Sequence, residues 1–466
     1  MFQPFMTLQQ AATALKAGQL GSVELVECML DRIRRFDSQL HAFITVTEEL
    51  AMTQARRADA ERKQGVVRGA LHGIPVALKD NVFVNGVRTT CHSRVMRNAV
   101  ADDDAFVVQR LQQAGAVILG KVALWEFAYG VPAPDDEIPA ARNPWSLAHS
   151  PGGSSSGSGA CVAAGMAFGA VGTDTGGSIR HPSSVCGVVG MKPTFGLVSQ
   201  RGVVPVSLSL DHIGPMTLTV RDNALMLQAM AGHDAADPNS AAVDANPDFT
   251  ARIGQPLKGL RAGVPMNLID PGGLDQRVVQ AFERALDVLR DLGLEVEIFE
   301  MAGVEAVHAD SSLILEYEAY REHEVRLKAF GPLYGEGLRR RLMSGAQRHA
   351  PDYARAKLKA AALQQSVDRL LTERYSVLLM PGREAPALTL EQLYGETPSA
   401  RGRMTRLGNM TGVPSLVLPM GFSEQPKLPL ALQVVAARFH EPVVYQVAAA
   451  YEAAQPWVSQ HPEWLC

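Results

Sequence analysis

The chain reads as an α/β fold whose mostly parallel sheet is covered by helices on both faces. Three observations lead there. Segments of helical periodicity alternate with short apolar runs, and a glycine repeatedly closes the helix before the next run begins. Apolar residues make up 47% of the 466 positions, enough to bury a large core between such layers.

Residues 22–37 put Val26, Leu30 and Ile33 on one face, with Glu24, Asp31, Arg34 and Arg35 largely on the other, which is an amphipathic helix. A charge-rich helix covers about 48–64 and ends near Gly65. LHGIPVALKDNV follows, with Ile74, Val76 and Leu78 at period two, a strand that turns at Asp80–Asn81. Residues 103–114 form a helix closed by Gly115 and followed by the strand AVILG. The pattern returns at 276–299, where QRVVQAFERALDVLRDLG leads into LEVEIFE. Strand-like LRAGVP precedes that helix, and SVLLMP lies near 376–381. Residues 303–373 differ, being long, charged and rich in Arg, Glu and Ala. They read as a helical elaboration that shapes the pocket within a single domain spanning 1–466, not as a separate domain.

Composition narrows the function. The net charge is −4 and no basic run forms a face, so neither a nucleic acid nor a membrane surface is an expected partner. Five cysteines without CxxC spacing predict neither a disulfide framework nor a zinc site, and fit a reduced, cytoplasmic compartment. The first twenty residues lack a secretory pattern. Asn143–Thr173 is free of Asp, Glu, Lys and Arg, but its many Gly and Ser residues, with Pro144 and Pro151, suit an active-site segment better than a membrane span. The histidines do not cluster at metal-ligand spacing, and His308, His323 and His349 read as solvated helix positions. No metal or cofactor is expected, and the oligomeric state is not legible.

The chemistry concentrates in residues 151–182, PGGSSSGSGACVAAGMAFGAVGTDTGGSIRHP. Its grammar is a glycine turn, a helix of small residues able to approach a neighbouring backbone closely, a short strand and a second glycine turn. The Gly-Gly pairs before Ser154 and Ser178 permit backbone conformations that a β-carbon resists. Two such turns in one segment exceed what tight connections require. A lone lysine after a strand, as in HGIPVALKDN, is ordinarily a solvated charge; beside this segment it reads differently.

GGSSSGSGACVAAG followed by GTDTGGSIRHP resembles the signature of the amidase signature family. HGIPVALKDN, residues 187–216, NMTGVPSLVLPMGF at 409–422 and LPLALQVVAARFHE at 428–441 are similar to it as well. The resemblance covers nearly the whole chain, with 303–373 least matched. It implies a large, twisted, mixed sheet and cleavage of carboxamide C–N bonds. It makes Ser178 the nucleophile, Ser154 the bridging serine held after a cis Gly153–Ser154 peptide, and Lys79 the base. A serine hydroxyl needs such a base, and lysine serves only when burial keeps it neutral. The proton passes from Ser178 to Ser154 and from Ser154 to Lys79, help typically worth ~10²–10⁴-fold. Backbone N–H groups of Thr175, Gly176, Gly177 and Ser178 are the expected oxyanion donors. Asp174 and Arg180 are expected to hold the turn in shape.

Members of the family cleave amides, esters or carbamates, and some feed ammonia to misacylated tRNA. The tRNA-dependent subunits usually continue EFA-x-G with an Asn-Glu-x-Ser-Ala-Phe-Gly-like run, whereas this chain has EFAYGVPAPDDEIPAARNPW. That departure predicts a stand-alone, bacterial-type amidase acting on a small molecule. A tRNA amidotransferase-like subunit is the alternative, and an inactive binding or scaffold protein is the reading from another class; intact Lys79, Ser154 and Ser178 argue against the last. His92 and His181 are further departures, expected to touch pocket shape. Of Trp125, Phe127 and Tyr129, at least one packs the core, and Tyr129 is the candidate for substrate contact. Proline- and acid-rich residues 131–142 are expected to form a mobile lid, with 396–409 facing it.

Two other motifs fail on context. Gly115–Lys121 imitates a phosphate loop but carries Val122 where Ser or Thr is needed. Gly153–Gly157 satisfies G-x-S-x-G around Ser155, but HSPGG rather than a strand precedes it.

Overall fold

The computed structural model describes residues 2–134, 137–242, 248–395 and 402–466. Among them eleven strands form one sheet: β1 (Phe43–Val46), β2 (Pro75–Lys79), β3 (Val117–Val122), β4 (Gly169–Asp174), β5 (Val189–Lys192), β6 (His212–Thr217), β7 (Arg261–Pro265), β8 (Glu295–Phe299), β9 (Val377–Pro381), β10 (Ser415–Phe422) and β11 (Pro429–Val435). Their order is β1-β3-β2-β4-β6-β5-β10-β11-β9-β7-β8. Every residue of β2 to β6, β9 and β11 is buried, so helices cover both faces of the middle. The edge strand β8 instead exposes Glu295 and Ile298, and its Glu297 is ion-paired to Arg261 and Arg374.

The sheet is mixed, and the expectation of mostly parallel pairing holds only in two flanking triplets, β3-β2-β4 and β9-β7-β8. All other neighbours are antiparallel. The visible cause at β10 and β11 is the short link 423–428, which can only reverse the chain, whereas a parallel return needs a crossover of a dozen residues or more.

The helices read from periodicity are present as Ser22–Leu40, Glu48–Lys63, Phe106–Gln113 and Gln276–Asp291, each within a few residues of its expected bounds. Residues 303–373 resolve into helices Val307–Phe330, Glu336–Gly345 and Ala350–Glu373. One expectation there is corrected. His323 is buried, its Nδ1 is 2.8 Å from Tyr334 Oη, and its ring meets Phe127 edge-on. The helical elaboration folds back onto the core, so a position that looked outward in sequence faces inward. The helix Leu8–Lys16 was overlooked, although Thr7 and Gln10 form a capping box that marks its start.

The helix of small residues, Ser156–Ala163, lies directly against a neighbouring backbone. A β-carbon on Gly157 would stand 2.4 Å from both Ala123 N and Ala42 O. Gly157→Ala is therefore expected to cost ~1–3 kcal/mol, as overpacking against rigid backbone does. A urea-unfolding midpoint unchanged from the parent would refute that contact.

Candidate active site

The close approach of that helix places its first turn over the end of β2, where Lys79 sits. Lys79 is fully buried, and its Nζ donates to Ser154 Oγ at 2.9 Å, Ser155 Oγ at 3.0 Å and Thr173 Oγ1 at 2.7 Å. Burial lowers its pKa to about 7, against the partial pull of Asp211 and Asp174 in the other direction. From sequence Ser155 was met only as the serine of a rejected G-x-S-x-G match, and Thr173, in β4, carries no local signal beyond its place in the motif.

The Gly153–Ser154 peptide is cis. The Ser154 carbonyl accepts from Trp125 N at 3.0 Å, and Ser155 N donates to the Ser178 carbonyl at 3.2 Å, which ties the two glycine turns together. Ser178 is half-buried at the head of the helix Arg180–Cys186, and no hydrogen bond joins its hydroxyl to that of Ser154.

Asp174 organises the second turn. It receives Gly177 N at 2.7 Å and Ile179 N at 3.1 Å, and it pairs with Arg180 through two bonds of 3.0 Å. Asn409 Nδ2 adds a further bond at 2.9 Å, and Arg180 also reaches Gln433 and Asn409. Despite burial, the guanidinium and these donors hold the Asp174 carboxyl far below the usual carboxylate range. Gly177 adopts φ +127°, open to glycine but not to residues with a β-carbon. Its N–H is turned inward onto Asp174, which removes it from the expected oxyanion donors and leaves Thr175, Gly176 and Ser178.

Asp211, also missed from sequence, accepts from Thr175 Oγ1 and from the N–H groups of Val206 and Ser207. Burial pushes its pKa up to about 6. His181, which burial keeps neutral with a pKa of about 3, places Nε2 3.2 Å from Thr405 Oγ1. Thr405 in turn donates to the Gly176 carbonyl at 2.8 Å. The departure at 181 thus buttresses the turn that leads to Ser178.

Beside the turns opens a cavity of about 1130 Å³. Lys79, Ser154 and Ser178 are not on its wall; the wall comes near them only through neighbours along the chain. Thr90, on the wall, donates its N–H to Asp80 next to Lys79, and Arg406, also on the wall, follows Thr405 in the helix Arg403–Thr411. Tyr129 lines the cavity and Phe127 packs against Tyr334, while His92 places Nε2 2.9 Å from the Ile138 carbonyl. Cys91, His92, Phe127 and Ala128 all take positive φ, and Phe127 N donates to the Cys91 carbonyl, so two strained pairs are linked beside the cavity. Of the expected lid, Val131–Pro134 and Glu137–Ile138 line the cavity, and Arg97 holds Glu137 at 2.6 Å. Asp135, Asp136 and residues 396–401 lie outside the described residues. Helices of the 303–373 stretch supply much of the opposite wall. No helix among the described residues is long and apolar enough to cross a membrane.

A buried amine among hydroxyls, next to a serine on a glycine turn, is equipment for acyl transfer. The chain belongs to the amidase signature family; the Amidase family model matches residues 24–444. It is 37% identical to the A subunit of the glutamyl-tRNA(Gln) amidotransferase of Heliobacterium modesticaldum, over 96% of each chain. The corresponding A subunit from Thermotoga maritima superimposes with a TM-score of 0.82 at 34% identity, covering 98% of this chain and 96% of that one. The native peptide amidase of Stenotrophomonas maltophilia does so with a TM-score of 0.85 at 32% identity, covering 97% and 98%.

These relatives overturn two expectations. The departure after EFAYG pointed to a stand-alone amidase, and the charge balance pointed away from nucleic acid. Similarity along nearly the entire length is instead to subunits of an enzyme named for a tRNA. Neither one surface loop nor the lack of a basic run outweighs that match, because one chain of an assembly can leave nucleic-acid contact to its partners.

Proposed function

We propose that this chain is the amide-cleaving subunit of a glutamyl-tRNA(Gln) amidotransferase-like enzyme, releasing ammonia from a carboxamide. The observation that carries the chemistry is Lys79, buried and in contact with Ser154 through a 2.9 Å bond. Similarity to the amidotransferase A subunits over 96% of the chain supports the assembly.

In this reading Ser178 Oγ attacks the carbonyl carbon while its proton moves to Ser154, whose own proton moves to Lys79 Nζ. The carbonyl electrons settle on oxygen, facing N–H groups from among Thr175, Gly176 and Ser178. Collapse breaks the C–N bond, and the leaving nitrogen takes a proton back along the same path. Water then releases the acid from the acyl-enzyme.

The direct test supplies the purified chain, its partner subunits, glutamyl-tRNA(Gln) and a carboxamide. Amidated tRNA that disappears with Ser178→Ala supports the proposal. Amide hydrolysis without amidated tRNA under any condition sinks the transferase part.

The base also predicts a pH profile. Lys79 acts as the neutral amine, so kcat/KM should rise with pH through about 7. Asp211 is the largest charge holding that pKa up, so Asp211→Asn should move the rising limb to lower pH. A limb that stays put or moves up in that variant would show that another group titrates.

A further inference from the structure

The antiparallel pairing of β4 with β6 ends at Asp174 and His212, so Thr175 and Asp211 are the first residues past the ladder. Side chains take over there, with Thr175 Oγ1 donating to Asp211 Oδ1. Asp211 Oδ2 accepts Val206 N at 2.8 Å and Ser207 N at 3.1 Å, and Asp211 N donates to the Ser207 carbonyl at 2.8 Å. Gln200 Nε2 reaches the Asp211 carbonyl at 2.6 Å, which fixes backbone but not the side chain. The loop 205–211 forms neither helix nor strand and exposes Leu208, so little of its own structure stiffens it. Glu318, half-buried on the helix Val307–Phe330, grips it from outside. Its Oε2 accepts Ser207 Oγ at 2.6 Å and Ser209 N at 3.1 Å. Its Oε1 accepts Ser209 Oγ at 2.6 Å and Tyr353 Oη at 2.8 Å. Tyr353, on the helix Ala350–Glu373, is itself stacked on Tyr317 with ring centroids 4.4 Å apart. A carboxylate accepts hydrogen bonds and donates none, and here both oxygens are filled by neutral donors. Ser207 is thus clasped between two carboxylates, by Glu318 at its hydroxyl and by Asp211 at its N–H.

Resting on the amide-cleaving reading above, we propose that Glu318 is a positioning residue for the reaction, acting through the 205–211 loop and Asp211 on Thr175. Glu318 sets the loop, the loop sets the Asp211 carboxylate, and that carboxylate holds Thr175 so that its N–H faces the oxyanion. Thr175 stands three residues before Ser178, so the brace ends on the turn that carries the attacking hydroxyl. The same helix lines the cavity through Leu315 and Glu316, so the cavity wall and the support of the turn share one element. The helical elaboration is then more than a wall, because the turn keeps its shape only while those helices stay docked. Preorganised oxyanion donors work because they need no rearrangement at the moment of reaction. A loosened loop would therefore slow the chemical step and leave substrate binding nearly intact.

The test has a kinetic arm and a hydrogen-exchange arm, both on the full chain. Ammonia release is followed on whichever of butanamide, benzamide and L-glutamine the parent turns over fastest. Glu318→Ala should lower kcat about 10- to 100-fold and leave KM within about threefold, as loss of a transition-state interaction does. Glu318→Gln should restore kcat to within about threefold of the parent. Its amide oxygen can serve Ser207 Oγ and Ser209 N, and the two hydroxyls that face its NH2 can turn to accept. Thr175→Val removes the hydroxyl that Asp211 receives, and in that background Glu318→Ala should cost no more than about twofold further, since both changes break one path. Ser207→Ala cuts the same path from the loop side, and its kcat and KM decide the matter should Glu318→Ala not fold. Losses that multiply in the double variant, a Gln variant as slow as the Ala variant, or a raised KM with kcat unchanged overturns the proposal. In hydrogen exchange, peptides spanning 174–178 and 205–211 should lose protection together in Glu318→Ala, and unchanged protection at 174–178 overturns the proposal as well. A parent that releases ammonia from none of the amides sinks the amide-cleaving reading instead, and the exchange result then decides for or against the brace alone.

Discussion

Lys79→Met is expected to lower kcat by roughly 10⁴-fold or more, about as far as losing the nucleophile, because members of a catalytic unit fail together. Methionine nearly preserves the volume and leaves the fully buried strand end packed, so the loss should fall on chemistry. Its cost to folding is the release of Ser154, Ser155 and Thr173 from their shared partner. The rising pH limb near 7 should vanish with the amine. Ammonia-release assays on folded variant and parent, with Ser178→Ala alongside, decide the matter. Activity within about tenfold of the parent would mean that Lys79 orders the hydroxyls without taking the proton, since a general base is worth ~10²-fold at the least.

Asp174→Asn is expected to be the largest stability change, about 3–5 kcal/mol, the usual result of leaving one charge of a buried pair alone. Both partners are fully buried, so solvent does not soften the loss. Asn keeps one acceptor oxygen where the carboxylate serves Gly177, Ile179, Arg180 and Asn409. The turn carrying Ser178 should loosen at the same time, so kcat should drop even where the protein is folded if Ser178 attacks as proposed. Urea unfolding of Asp174→Asn, Arg180→Met and the double variant forms a cycle in which the two losses should be far from additive. Additive losses would mean that the two side chains act independently, contrary to their two 3.0 Å bonds.

Much of this was legible in the residues because local rules are strong where the chain is regular. Val26, Leu30 and Ile33 at helical spacing, or Val76 and Leu78 before Lys79, leave little choice of element. Expectations failed where the answer lay in another part of the chain. His323 looks solvated in a charged stretch but is buried against Phe127, which lies far away in sequence. The loop after EFAYG looked decisive for assembly, yet similarity is a property of the whole chain.

Glycine turns and a helix of small residues marked the segment 151–182 locally, since backbone that must bend or approach closely needs residues without bulk, while the roles expected of Lys79, Ser154 and Ser178 came from the family resemblance. What tertiary structure decided is the set of contacts with no such trace. Thr173 on Lys79, Asn409 on Asp174, and Arg406 beside Arg341 join residues from distant strands and helices. Burial in the folded chain then sets their charges. It brings Lys79 to a pKa of about 7 and keeps His181 neutral, because desolvation acts only once the surrounding elements have closed over the group.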